Sequence, residues 1–427
     1  MTIQNIHKVF LTCDKISIDT RKIEKNSFFV AIKGERFDAN TFASEALDKG
    51  ASFVIIDNAN YYIDDRTILV ENSLTILQKL AKFHRQFLKL PIVALTGSNG
   101  KTTTKELINV VLSKKFNVKA TIGNLNNHIG VPLTLLSFTT ETEIGIVEMG
   151  ANHQKEIEFL CEIAQPDYGY VTNFGKAHLE GFGGVEGVIK GKSEMYTFLK
   201  ANQKPVFVNL DDAIQNDKTI DFNRITFSQK DKNATVFIEN VNANPFVKIK
   251  VLCVQINSHL IGLYNANNIN AAITIGHHFG VTINDCKEAI ESYIPENNRS
   301  QLLIKGSNEI ILDAYNANPS SMRVALENFI QLDKSNKVVM IGDMYELGEE
   351  SLAEHEAIVN FLNENCSFEC HFIGKDFFAN SIQKERFHFY PSFEDFTKYL
   401  SSVKIENKTL LIKGSRGMAL ERTLDYI

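Results

Sequence analysis

The run PIVALTGSNGKTTTKEL, Pro91 to Leu107, constrains the fold more than any other stretch of the chain. Ile92 to Leu95 reads as a short buried strand, and a Gly-rich turn passes from it directly into helix-compatible sequence. Gly97 and Gly100 permit a sharp turn in which backbone N–H groups point inward with no Cβ in the way. The helix that follows adds roughly half a positive charge at its N-terminus. Ser98, Asn99, Gly100, Lys101, Thr102 and Thr103 all stand at that junction. Lys101 is placed to reach the outer phosphates, and Thr102 to offer a hydroxyl to Mg²⁺. The full Walker pattern wants glycine where Leu95 stands, so the shorter TGxxGKTT remains. Strand, paired glycines, lysine and hydroxyl in this order predict a triphosphate cradle rather than a Ser/Thr-rich helix cap.

With 427 residues the chain exceeds a single hydrophobic core, so two or three domains are expected. The formal charge of −6 argues against a general nucleic-acid binder, which would show a basic excess. Six scattered cysteines without metal-site spacing suit reduced thiols. The opening MTIQNIHKVFLTCDK has no apolar leader core, and no apolar run is long enough to span a bilayer. These features predict a cytoplasmic protein that meets small molecules, with no nucleic acid and no membrane span. A monomer is expected.

Three blocks separate on pattern. Residues 1–82 hold short strand-like runs (Ser27 to Ile32, Phe53 to Ile56, Thr67 to Val70) around a helical stretch, Asn40 to Lys49. Residues 83–296 alternate strands (Ile92 to Leu95, Ile144 to Glu148, Tyr168 to Thr172, Val206 to Asn209) with helices (Thr103 to Lys114, Lys155 to Ile163, Val185 to Leu199). A polar, strand-like insert, Ala234 to Ile256, precedes a further helix at Ala266 to Phe279. Residues 297–427 alternate again, with strands at Ile310 to Asp313, Val338 to Ile341, Cys370 to Ile373 and Thr409 to Ile412. The fold class is α/β. A small N-terminal α/β block, a mainly parallel central sheet with helices on both faces and a second open α/β sheet in the last block are expected. ENNRS, Glu296 to Ser300, reads as the hinge between the last two.

In open α/β sheets the strand C-termini face the ligand crevice, which puts Glu148 near the phosphate loop as a hard-oxygen ligand for Mg²⁺. His178 lies just past the next strand, among glycines and beside Glu180, where a second divalent ion would find it. Lys192 and Lys190 sit on the following helix, and solvated surface is the default for either. Asp313 ends a strand in LDAYNANPSS and reads equally as a ribose-binding acid or a turn residue. Arg299, in the hinge, reads equally as a γ-phosphate contact or a solvated side chain. LIKGSRGMALE, Leu411 to Glu421, repeats the strand–turn–helix logic, and its Lys413, Ser415 and Arg416 suit a carboxylate ligand.

Taken together, TGSNGKTT, EMG, TNFGKAHLEGFGG, GKSE, NANN, NRS, DAYNANP, GDMYELG and KGSRGM resemble the Mur ligase family, in family order and through all three blocks. The resemblance implies a small N-terminal α/β domain for a UDP-sugar, a central P-loop ATPase-like parallel sheet and a C-terminal Rossmann-like α/β domain for the incoming amino acid or peptide. DAYNANP and EMGANH point within the family to joining D-Ala-D-Ala to UDP-N-acetylmuramoyl-tripeptide in peptidoglycan synthesis. By motif, Lys101 would contact the β/γ-phosphates, Thr102 and Glu148 would serve one Mg²⁺, and His178 the second. Lys192 matches a lysine that is carbamylated in the family. Asn268 matches the adenine-side asparagine, Arg299 the phosphate-side arginine and Asp313 the ribose acid. Asn126, Asn127 and Thr134 match residues near the muramoyl group, and Asp19, Thr20 and Arg21 the UDP-side motif. Ala39 and Asn40 stand where the family commonly has Gly-His, and Tyr264 where it has His.

The implied reaction is ATP-dependent amide synthesis through an acyl phosphate, with ATP and two Mg²⁺. A sister ligase would share this frame, either a folylpolyglutamate synthase or the enzyme adding the third residue. YNANP in place of a DNPR-type string argues against the latter. A nucleotide-gated switch without ligase chemistry would carry an NKxD string, which is not found.

Overall fold

The computed structural model describes residues 1–296 and 298–427; Asn297, in the predicted hinge and first in the predicted third block, lies outside the described residues. Three sheets form, each from one contiguous stretch of chain. The first holds β1 (Lys15–Ser17), β2 (Ser27–Val30), β3 (Ala51–Ile56) and β4 (Thr67–Leu69), all parallel and in chain order.

The central sheet contains β5 (Ile92–Thr96), β6 (Val118–Ala120), β7 (Ile144–Glu148), β8 (Tyr168–Val171), β9 (Val206–Asn209), β10 (Arg224–Ser228), β11 (Val236–Ala243), β12 (Phe246–Val251) and β13 (Val254–Ile261). Their order is β13-β12-β11-β10-β9-β8-β5-β7-β6, parallel except for the β11–β12–β13 meander that forms the expected polar insert. On β12 buried and exposed residues alternate, as a strand covered on one face requires. All five residues of β5 are buried, the pattern of a parallel strand covered on both faces.

The third sheet adds β14 (Gln301–Lys305), β15 (Asn308–Asp313), β16 (Lys337–Gly342), β17 (Glu369–Ile373), β18 (Phe387–Tyr390) and β19 (Thr409–Lys413), ordered β14-β15-β19-β16-β17-β18. Only β14 runs antiparallel to its neighbour. Strands β1 and β6 escape a sequence reading because three residues apiece, with one buried among the six, carry too little alternation.

Three elements differ from expectation. The stretch expected as one helix from Asn40 starts as a 3₁₀ turn, Ala39–Phe42, because the Asp38 side chain accepts from the Asn40 N–H, and the α-helix begins at Ala43. After β19 no α-helix follows. Two 3₁₀ segments, Arg416–Met418 and Leu420–Tyr426, meet at Ala419, whose φ of 47° interrupts helical geometry.

The helix Ser73–Leu88 is continuous across positions 82 and 83. Asn72 caps it, and Lys89 ends it in the left-handed region. Leu77, Leu80 and Ala81 are fully buried, each leucine contributing about 2 kcal/mol of apolar burial. Its last turn belongs to the central domain: Arg85 donates to the Ala164 and Gln165 carbonyls and pairs with Asp167 at 2.7 Å.

Candidate active site

Strand β5 lies between β7 and β8, so chain connections leave it toward both sides and open a crevice at the strand C-termini. A cavity of about 1260 Å³ fills this crevice and extends to the third domain. Its floor is the loop from Gly97 to Gly100. Gly97 has φ 143°, and a Cβ there would lie 2.0 Å from Thr172 Oγ1. Gly100 has φ 76°, and a Cβ there would lie 2.7 Å from Asn268 Oδ1. Neighbouring strand ends hold the loop. Ser98 N–H donates to Asn173 O at 3.0 Å, and Asn99 N–H to Asn173 Oδ1 at 3.1 Å. Ser98 Oγ donates to Gly175 O at 2.7 Å, and Thr172 Oγ1 to Asn99 O at 2.6 Å.

Lys101 folds back and donates to Gly97 O at 2.7 Å. Burial pulls its ammonium below the ordinary lysine range; Glu148 opposes that shift and Arg299 adds to it. Thr102 and Thr103 also line the cavity, on the first turn of the helix Lys101–Leu112.

Glu148, at the end of β7, is 1% exposed. Its Oε1 accepts from Asn126 Nδ2 at 2.8 Å and from Thr102 Oγ1 at 3.3 Å, while Oε2 is buried without a partner among the described residues. An orphaned buried carboxylate oxygen costs several times what a satisfied one does, and a hard cation would satisfy it. The residues present therefore fit one Mg²⁺. His178 takes a left-handed backbone conformation, and its Nδ1 contacts a carboxylate oxygen of Glu346 from the third domain rather than Glu180. That contact holds the Glu346 carboxyl below the usual range. Among the described residues no group of three or more His, Cys, Asp or Glu is placed to hold a metal.

Lys192 overturns the solvated-surface expectation. It is 0% exposed, lies 4.9 Å over the Phe182 ring and donates to Ala151 O at 3.1 Å. Burial, reinforced by nearby Lys101, pulls its pKa well below that of free lysine. Lys190 is exposed.

Asn268 is buried, accepting from Thr104 Oγ1 at 3.0 Å and donating to Asn265 at 2.8 Å. Arg299 stacks 3.7 Å over the Tyr315 ring at the cavity wall, which removes the solvated reading. Asp313 accepts from Ser300 N–H at 3.1 Å and from Lys413 Nζ at 2.6 Å. Lys413, expected to meet a ligand carboxylate, is thus buried against one from its own domain. Ser415 is likewise committed, accepting from Tyr345 N–H at 2.9 Å, and Arg416 pairs with Glu421 at 2.6 Å.

Asn126 and Asn127 line the cavity, but Asn127 Oδ1 also caps the helix Gly130–Leu136 by accepting from Ile129 and Gly130. Thr134 is buried and donates to Gly130 O at 3.0 Å, so its hydroxyl is used within its own helix. Thr20 and Arg21 form a separate 3₁₀ turn on the first domain, where Arg21 pairs with Asp19 at 2.8 Å. Asn40 is buried there, donating 2.7 Å bonds to Asp38 and Asp57. The Tyr264 hydroxyl sits 2.6 Å from Ser300 Oγ.

The sequence reading missed Tyr315, Glu346 and Ser320, all at the cavity or in contact with its residues. Tyr315 and Ser320 lie in or beside DAYNANP, and Glu346 follows β16. Applying the strand-end rule to β16 would have found Glu346.

Sequence profiles match the chain in three pieces: the Mur ligase family catalytic domain over residues 12–85, the Mur ligase middle domain over 95–276 and the Mur ligase glutamate ligase domain over 298–416. A Bacillus subtilis (strain 168) protein named UDP-N-acetylmuramoyl-tripeptide–D-alanyl-D-alanine ligase is 32% identical, over 95% of this chain and 91% of its own. The crystal structure of MurF from Acinetobacter baumannii superposes with a TM-score of 0.86 at 28% identity, covering 99% of this chain and 97% of that one. MurF ligase from Thermotoga maritima in complex with ADP gives a TM-score of 0.84 at 27% identity, covering 98% and 97%.

Proposed function

The chain belongs to the Mur ligase family, and from that premise we propose that it joins D-Ala-D-Ala to UDP-N-acetylmuramoyl-tripeptide at the expense of ATP. The observation that carries the reading is the phosphate loop opening into a cavity shared with the third domain, beside the unpartnered Glu148 oxygen. In this reading the tripeptide's terminal carboxylate attacks the γ-phosphorus, a P–O bond forms, and ADP leaves. The dipeptide amine then attacks the acyl phosphate carbonyl, and inorganic phosphate departs.

Two anions must first be brought together, and unit charges 4 Å apart repel by roughly 4 kcal/mol at an effective dielectric of 20. Lys101 and the N-terminus of the helix Lys101–Leu112 offset part of that repulsion, and Arg299 lines the same cavity. Thr102 and Glu148 would hold one Mg²⁺, and His178 a second. When bound, such ions neutralise phosphate oxygens and align the in-line transfer. Burial eases proton loss from Lys192, and the neutral amine is the form that captures CO₂, so a carbamate there would turn a repelling cation into an attracting anion.

A peptide amine has a pKa of about 8, so roughly a tenth is neutral at pH 7 and no strong base is required. The first domain, with Thr20 and Arg21, would take the UDP end, and Asn126 and Asn127 the muramoyl part. Asp313 and Lys413, paired with one another, would shape the nucleotide pocket rather than bind through free charges. The same reading places the enzyme in the cytoplasm as a monomer, consistent with six free cysteines.

Lys101→Ala tests it. ADP formation is expected to vanish while binding of the UDP substrate survives, and normal turnover would remove the cradle. Phosphate release with a panel of acceptors should require the dipeptide amine. Release with single amino acids would reassign the enzyme to a sister step.

A further inference from the structure

Outside the ligase site, the sulfurs of Cys366 and Cys370 lie 3.7 Å apart. Cys366 ends the helix Ser351–Asn365 and is half-buried, whereas Cys370, on β17, is fully buried. Arg386, one residue before β18, fixes its guanidinium on the same helix end by donating to Asn363 O at 3.0 Å. The Arg386 Nε is buried with no hydrogen-bond partner among the described residues. A buried N–H of a cation needs an acceptor, and the Cys366 thiol beside it would serve best as a thiolate.

The two thiols are driven apart in acidity. Hydrogen bonding from Cys370, with Arg386 adding to it against burial, pulls Cys366 down to about 7. Cys366 and burial push Cys370 far up. The pair thus favours a thiolate on Cys366 over one on Cys370. Burial raises Cys13, Cys161 and Cys286 instead, and Cys253 is exposed.

We propose that Cys366 and Cys370 form an oxidative modification site whose reactant class is the hydroperoxides. The Cys366 thiolate attacks the terminal oxygen of the peroxide; its O–O bond breaks, and the leaving alkoxide or hydroxide takes a proton from water. The Cys370 sulfur then attacks the Cys366 sulfenic acid, an S–S bond forms, and the hydroxyl departs as water with the Cys370 proton. Two electrons leave the pair of sulfurs, and the peroxide is reduced by two. The bond would tie the end of the helix Ser351–Asn365 to β17, at the end of the third sheet remote from Asp313 and Lys413.

The test is hydrogen peroxide added to the full-length protein at neutral pH, followed by peptide mass mapping. The peptides bearing Cys366 and Cys370 should join, with loss of two hydrogen masses, before Cys253 is consumed, and dithiothreitol should part them. Cys370→Ser should leave a Cys366 sulfenic acid that dimedone captures. Arg386→Gln should slow the reaction roughly threefold or more at neutral pH and recover in mild alkali, where the thiolate forms without help. Consumption of Cys253 while both partner thiols stay free, or an unchanged rate in Arg386→Gln, would overturn the proposal.

Discussion

Asn318 and Asn99 meet side chain to side chain across two domains: Asn318 Nδ2 donates to Asn99 Oδ1 at 2.8 Å. Asn99 returns the contact by donating to Ser320 Oγ at 2.9 Å, and Asn318 also caps the helix Pro319–Gln331. The phosphate loop and the third domain are therefore joined through a single amide, so placement of one sets placement of the other.

Asn99→Ala and Ser320→Ala should each lower kcat/KM for ATP several-fold, and the double variant should lose less than their product. A coupling of about 1 kcal/mol is expected from one lost hydrogen bond. Strict additivity in that cycle would show that the contact transmits nothing.

Glu148→Gln keeps the shape of the side chain but removes the charge beside Thr102. Binding of Mn²⁺, read by electron paramagnetic resonance or calorimetry, should weaken by at least roughly tenfold. Equal affinity in the variant would mean that the unpartnered Oε2 does not ligate a cation.

Lys192→Ala should abolish ligase turnover and regain part of it with short carboxylic acids such as formate. In the parent protein, ¹³C-labelled CO₂ should give a carbamate resonance that the variant lacks. Unchanged turnover without rescue would leave Lys192 with only a packing role.

His7 and His84 supply a pH dependence. His84 Nε2 donates to Phe138 O at 2.9 Å, so its Nδ1 accepts from His7 Nε2 at 3.0 Å, and this needs a neutral His84 ring. Burial, helped by His84, lowers His7 to about 4, and burial lowers His84 as well. An unfolded chain protonates its histidines near 6.5, so between about 6.5 and 4 it binds more protons than the folded one. Stability should therefore fall as pH drops through that window. The melting temperature should decline from neutral pH to about pH 5, and less steeply in His7→Phe. Identical slopes in the two proteins would dismiss the pair as the cause.

The phosphate loop was legible because its information is local: glycine, lysine and hydroxyl order decides a turn and a helix start within a few residues. Glu148 was legible for a similar reason, as an acid closing a strand with no polar residue. What stayed hidden depends on partners distant in the chain. Lys413 reads as a free cation until β19 pairs with β15 and brings Asp313 beside it. Glu346 reaches His178 only when two domains meet, and Lys192 looks solvated until Phe182 and Ala151 cover it. Thr134 failed differently, since a helical threonine often spends its hydroxyl on the carbonyl one turn back.

The helix Ser73–Leu88 has a practical corollary for dissecting the molecule. Severing the gene at codon 82 would snap a rod whose first half seats the first domain and whose last turn is bolted to the central one through Arg85. An excised N-terminal fragment should run at least through Lys89, and even then it would carry a bare apolar flank.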